Sequence, residues 1–156
     1  MTSFQIRAYE PRDIGPVTSL VRSVRAAAEL GADFGGLGVD VRGAGRGEHA
    51  RANDGPASET WVAEDDGEIV GVAAVIGVDP DVCALRRLYV APARQGRGVG
   101  SALLAAIQSW SADQGFGRIV AQVPGALAPA GRFLAHRGFT ATSGDEWVHE
   151  NRPPRA

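Results

Sequence analysis

The stretch from Leu85 to Leu104 constrains the fold of this chain more than any other part of its sequence. It reads as a strand, Leu85-Arg86-Arg87-Leu88-Tyr89-Val90, stopped at Pro92, followed by a loop with three alternating glycines that runs directly into a helix. A strand-loop-helix unit of this kind leaves the first N–H groups of the helix without backbone partners. Those donors and the positive end of the helix dipole make an anion site, and Gly96, Gly98 and Gly100 have no Cβ to keep phosphate oxygens away. Arg94 and Arg97 add charge at the rim. Glycines can also tighten a turn and pack helix on strand with no ligand at all, so the spacing has to discriminate. It excludes the dinucleotide fingerprint Gly-x-Gly-x-x-Gly or Ala, because Ser101 or Leu103 falls at the last place.

Composition narrows the choice further. All 16 basic residues are arginine, so there is no lysine for a Walker A phosphate loop or for a Schiff base. A coding bias that favours Arg, Ala and Gly together accounts for most of the set. The formal net charge of -2 gives no bulk attraction to nucleic acid or to a membrane surface, so an anionic partner must be bound locally. The longest run of apolar residues and glycine, Ile69 to Val78, is about half a bilayer span. With no signal-peptide pattern at the start, a cytoplasmic protein is expected. The single cysteine, Cys83, excludes an internal disulfide and a multi-cysteine metal site.

The 156 residues suit one domain, with no repeat and no linker. Phe4 to Ala8 reads as a first strand. From Asp13, a good N-cap, the spacing of Ile14, Val17, Leu20, Val21 and Val24 predicts an amphipathic helix that stops at Gly31. Gly31 to Ser58 holds eight glycines in 28 residues and reads as a mobile loop with at most a short helix near His49 to Asn53. Thr60 to Glu64, the turn Asp65-Asp66-Gly67, and Glu68 to Val78 form a hairpin whose second strand, apolar on both faces, lies centrally. Cys83 to Val90 is the next strand, and Gly98 to Asp113 a helix with Val99, Leu103, Leu104, Ile107 and Trp110 on one face. Arg118 to Val123, a short helix Ala130 to Arg137, and strands Phe139 to Thr142 and Glu146 to Glu150 complete the order, with 151–156 as a frayed tail. The fold class is therefore α/β in the mixed α+β sense, one sheet covered by helices.

Gln95, Gly98 and Gly100 fit the pattern Gln or Arg, x, x, Gly, x, Gly or Ala. With Leu88-Tyr89-Val90-Ala91-Pro92 before it and Ser101-Ala102-Leu103-Leu104 after it, the segment resembles the coenzyme-A motif of the GCN5-related N-acetyltransferase (GNAT) superfamily. Ile6-Arg7-Ala8 with Asp13-Ile14, and Phe133, Gly138 and Phe139, extend the resemblance over most of the chain. It implies a central, mostly antiparallel sheet of six to seven strands, flanked by helices and splayed at the acetyl-CoA site. It further implies that the amides of Gln95, Gly96, Arg97, Gly98, Val99, Gly100 and Ser101 hold the pyrophosphate, while the pantetheine arm runs along Leu88, Tyr89 and Val90. A backbone N–H near Leu88 or Val90 would then polarise the thioester as an amine attacks, with no metal. The implied acceptor is a small-molecule or peptide amine, with no nucleic acid or membrane partner, and a homodimer is compatible with the family.

Three polar positions of the family are altered. The usual tyrosine that protonates the departing thiolate is Leu134, the usual asparagine is Leu127, and the strand glutamate is Gln122. Either other groups or water serve, or the domain binds acyl-CoA without catalysis. Tyr89 could offer a hydroxyl, although an aromatic there commonly packs. Glu48, His49, Glu146, His149 and His136 are further candidates, each with a solvated surface role as the simpler reading. Arg86 and Arg87, as neighbours on a strand, are expected on opposite sheet faces, so at most one would point at the acceptor, and a surface ion pair is the simpler role for either.

Overall fold

The computed structural model describes residues 4–29, 39–40, 58–94, 96–123, 128–142 and 144–151. β1 (Phe4–Ala8) passes through a 3-10 turn at Pro11–Asp13 into α1 (Ile14–Glu29). β2 (Val39–Asp40), β3 (Ser58–Asp65), β4 (Glu68–Gly77) and β5 (Val82–Val90) follow. A second 3-10 turn at Pro92–Arg94 then leads to α2 (Val99–Asp113), β6 (Arg118–Gln122), α3 (Ala128–His136), β7 (Thr140–Ala141) and β8 (Glu146–Glu150). Seven strands run in the order β1-β3-β4-β5-β6-β8-β7, and β2 pairs with β5 beside this path. Every pairing is antiparallel except β5 with β6. The architecture is the mixed, mostly antiparallel sheet with flanking helices expected from the sequence. Apart from Val39–Asp40 and Ser58, the segment from Gly31 to Ser58, with Glu48, His49 and the short helix read there, lies outside the described residues.

The β3–β4 hairpin turns on Asp66 and Gly67 alone, at φ 52 and 82, because a two-residue turn with both φ values positive follows the right-handed twist of its strands. Asp65 belongs to the strand. The sheet separates two cores. On one face, α2 and α3 bring Val99, Leu103, Leu104, Ile107 and Leu134 against Val75, Leu85, Leu88 and Val90. A Cβ on Gly71 would come within 2.9 Å of both Leu103 and Val99, so glycine at this point of β4 lets α2 sit close to the sheet. On the other face, α1 buries Val17, Leu20 and Val24 against Val62, Val72 and Tyr89.

Asp13 corrects the simple N-cap reading. Its carboxylate turns back towards β1, where both oxygens accept from Arg7, Nη1 at 2.8 Å and Nη2 at 2.9 Å. It also accepts the backbone N–H of Glu10 at 2.8 Å, closing the turn before α1. The same guanidinium donates through Nε to Glu64 on β3 at 2.8 Å. One arginine thus joins β1, β3 and the start of α1, and a planar fork suits that task better than a point charge. The hydrogen bonds from Arg7 hold the Asp13 carboxyl below its ordinary value of 3.8, while Arg7 is pushed above the usual arginine range by Asp13 and Glu64. A carboxyl depressed by folding contributes stability that is present above pH 3.8 and lost as pH falls through its folded value. Asp13→Asn should therefore cost about 1.5–3 kcal/mol near neutrality. The difference from wild type should shrink below pH 3.8 in urea-melting curves taken across pH.

Candidate functional site

β5 and β6 run parallel and pair only from Val82 opposite Arg118 to Ala84 opposite Val120. Beyond Ala84 the two strands continue to Val90 and Gln122 without a common register, so the sheet opens into a V. The cause is local. The register with β4 passes from Val75 opposite Leu85 to Ala74 opposite Arg87, leaving Arg86 as an extra residue on β5. A bulge of this kind bends its strand and sharpens the twist, which turns β5 away from β6.

The bulge also resets the two sides of β5. Cys83, Leu85, Leu88 and Val90 all face the α2 core, a spacing of two, three and two. The two residues between Leu85 and Leu88 therefore share the opposite face. This corrects the expectation that Arg86 and Arg87 diverge: both are half-buried on the α1 side. The irregular spacing of apolar residues in Leu85-Arg86-Arg87-Leu88 was the available signal. Arg87 lies near enough to Tyr9 to oppose the rise in its phenol pKa, which comes chiefly from burial and secondarily from Asp13.

Backbone direction on β5 follows from one contact. Ala91 donates its N–H to Val70 at 2.8 Å, and the register places Tyr89 opposite Val72 and Arg87 opposite Ala74. Alternation then points the backbone groups of Arg87, Tyr89 and Ala91 at β4 and those of Leu88 and Val90 into the V. β2 lies along this outward edge, with Val39 opposite Leu88 and Asp40 opposite Arg87. The Tyr89 side chain is 1% exposed and packs beneath α1 with Val17, Leu20 and Val24.

At the mouth of the V, Gly96 and Gly98 adopt φ 79 and 86, conformations that favour glycine. Gly98 is the N-cap of α2 and carries no side-chain hydrogen bond there. The first bond inside the helix runs from Ala102 N–H to Gly98 at 3.0 Å, so the N–H groups of Val99, Gly100 and Ser101 point out of its end. A Cβ at Gly98 would meet nothing within 4 Å. Arg97 is exposed beside them, whereas Arg94 turns away to Asp65 and Glu68 of the hairpin, at 3.4 Å from each. Gln95 and Leu127 lie outside the described residues. Among the described residues, no cluster of three or more His, Cys, Asp or Glu could hold a metal, and no helix is long and apolar enough to cross a membrane.

The remaining candidates fall into different places. Leu134 is 1% exposed within the α2 core, with no proton to donate. Gln122 is exposed at the open end of β6, opposite Glu146, which accepts the Thr142 hydroxyl at 2.7 Å. His149 stands opposite Ile119, away from the open end, stacked on Phe139 with ring centroids 5.3 Å apart and its Nδ1 3.1 Å from Asn151. His136 is exposed at the end of α3. Asn151, expected in a frayed tail, is fastened: its amide donates to Ser111 at 2.9 Å and to the Phe116 carbonyl at 3.0 Å. Cys83 is fully buried, and burial pushes its thiol up to about 11. A thiol so held should not react with an aromatic disulfide reagent at pH 8 in the native protein and should react stoichiometrically in 6 M guanidinium, two conditions of about the usual strength for such assays.

Comparison with known proteins gives a consistent picture. The model of the acetyltransferase (GNAT) family matches residues 39–139. An Escherichia coli protein described as the uncharacterized N-acetyltransferase YjgM is 28% identical over 131 residues, which cover 82% of this chain and 77% of that protein. Among solved structures, the PaiA N-acetyltransferase of Thermoplasma acidophilum in complex with coenzyme A has a TM-score of 0.76 at 15% identity, covering 96% of this chain and 99% of that one. A GNAT family acetyltransferase of Elizabethkingia anophelis with acetyl-CoA bound has a TM-score of 0.67 at 14% identity, again over 96% and 99%.

Proposed function

The chain belongs to the GNAT acetyltransferase family, and from that premise we propose that this N-acetyltransferase moves an acetyl group from acetyl-CoA to a primary amine by direct attack in a ternary complex. The observation that carries the reading is the V between β5 and β6, with the outward backbone edge of Leu88 and Val90 on one limb and the N-terminus of α2 at its mouth. The two fold neighbours described as holding coenzyme A or acetyl-CoA add support.

Bound acetyl-CoA supplies the activated acyl group. In this reading the N–H groups of Val99, Gly100 and Ser101, with Gly96, Gly98 and Arg97 around them and Gln95 before them, receive the pyrophosphate. The edge of Leu88 and Val90 holds the pantetheine arm as an added strand, and an N–H there donates to the thioester oxygen as it gains negative charge. The amine nitrogen bonds to the acyl carbon as the C–S bond breaks, and the proton lost from nitrogen ends on the thiolate. Leu134 cannot carry that proton and Gln122 has no basicity near neutral pH, so another group or a water chain carries it. Tyr89 is assigned to packing, because its ring lies in the core under α1. Holding both reactants in the V supplies much of the acceleration, since positioning alone is worth roughly 7 to 11 kcal/mol in favourable cases. β2 draws on the same edge through a pairing of two residues.

The buried apolar Leu134 favours one competing reading, an acyl-CoA-binding domain without catalysis. Release of free coenzyme A from acetyl-CoA in the presence of an amine panel separates the two: sustained turnover on any amine removes the binding-only reading. The loop assignment has its own check. A Cβ at Gly98 meets nothing within 4 Å, and Gly98→Trp costs about 1–2 kcal/mol in backbone strain at its positive φ. It should leave a folded protein whose melting temperature no longer rises with coenzyme A, and an unchanged rise would refute the assignment.

A further inference from the structure

β2 lies on the same backbone atoms that the acyl-transfer reading gives to the pantetheine arm. Alternation on β5 turns the N–H and C=O of Leu88 into the V, and β2 places Val39 opposite Leu88. In an antiparallel ladder, two residues whose groups point at each other exchange both hydrogen bonds, so Val39 and Leu88 form the hydrogen-bonded pair. Asp40 and Arg87 form the other kind, since the backbone groups of Arg87 point at β4. The Leu88 side chain is fully buried in the α2 core, so the contest concerns its backbone alone. β2 lies off the seven-strand path, and among the described residues β5 is its one strand partner. It runs inward, from the level of Leu88 to that of Arg87, the direction of an arm anchored at the N-terminus of α2.

Neighbouring strands lie about 4.8 Å apart, so the space beside one edge holds a single chain. An arm bonded to Leu88 therefore excludes Val39 from it. Resting on the acyl-transfer reading above, we propose that β2 is an autoinhibitory contact, a stretch of the chain's own backbone seated on the pantetheine edge at Leu88, which acyl-CoA must displace in order to bind. The apparent affinity for acyl-CoA is then the intrinsic affinity reduced by the fraction of molecules in which β2 is unpaired. The coupling is reciprocal: acyl-CoA weakens the β2 pairing by the same factor by which β2 weakens acyl-CoA. One backbone hydrogen bond is worth about two- to tenfold in an equilibrium constant, which sets the size of the effect.

Two measurements test this. In calorimetric titration with acetyl-CoA, Val39→Pro, which lacks the N–H that donates to Leu88, should bind about two- to tenfold more tightly than wild type. Val39→Ala keeps that N–H and should gain less. Wild-type or weaker affinity in the proline variant overturns the proposal, and so does an equal gain in the alanine variant. The second measurement needs no variant. Amide hydrogen exchange resolved to single residues should quicken at Val39 when acetyl-CoA is added to wild type, the reverse of the protection that a ligand ordinarily confers. Leu88, which only changes partner, should stay slow. Exchange at Val39 that is unchanged or slower overturns the proposal, as does faster exchange at Leu88. If neither wild type nor the proline variant binds acetyl-CoA, the acyl-transfer reading fails and takes this one with it; if both bind alike, only this one fails.

Discussion

One extra residue in one strand organises the functional half of this molecule. If β5 paired with β4 in unbroken register, its outward groups would continue to meet β6, and the sheet would close. Arg86 interrupts that register, and three consequences follow together. The strand turns away from β6, the outward edge is carried by Leu88 and Val90, and two arginines reach the same face. A separation of strands, which ordinarily leaves polar groups exposed at a cost, here opens a gap beside β6 in which β2 pairs with β5.

The rest of the fold holds that interruption in place. α2 lies close against β4 through Gly71, and the same helix starts at the mouth of the V, so one element both packs the sheet and frames the opening. Behind β5, the Tyr89 ring joins the layer under α1, which fixes the strand from the opposite side. Arg7, gripping Asp13 and Glu64, ties the first strand and the start of α1 to β3. Both faces of β5 are thus clamped, while beyond Ala84 its outward edge does not pair with β6.

Elements written in local chemistry were legible from residues alone. The Asp-Gly turn, the apolar run of β4, the stop at Pro92 and the glycines before α2 each act over a few neighbours, and each gives a strong local preference. The candidate site was legible to the same extent: its loop and strand are contiguous in sequence. What sequence did not reveal depends on registers between distant strands. Two adjacent arginines on a strand read as divergent until a bulge is known, and only the three-residue step from Leu85 to Leu88 hinted at one. Arg94 reads as a phosphate ligand until the β3–β4 hairpin brings Asp65 and Glu68 to it. Asn151 reads as tail until Ser111, forty positions away, is found beside it.

That asparagine bears on how the V can move. Its amide, bonded to Ser111 and the Phe116 carbonyl, and its backbone N–H, bonded to Gly117 at 2.8 Å, lock the last strand to the end of α2 and the start of β6. His149 and Phe139 thicken the same corner. The arrangement is that of tongs, with the pivot riveted by side chains near the closed end. A swing of β6 and β8 about that pivot would displace Gln122 and Glu146, at the far end of the strands, more than Arg118 and Glu150.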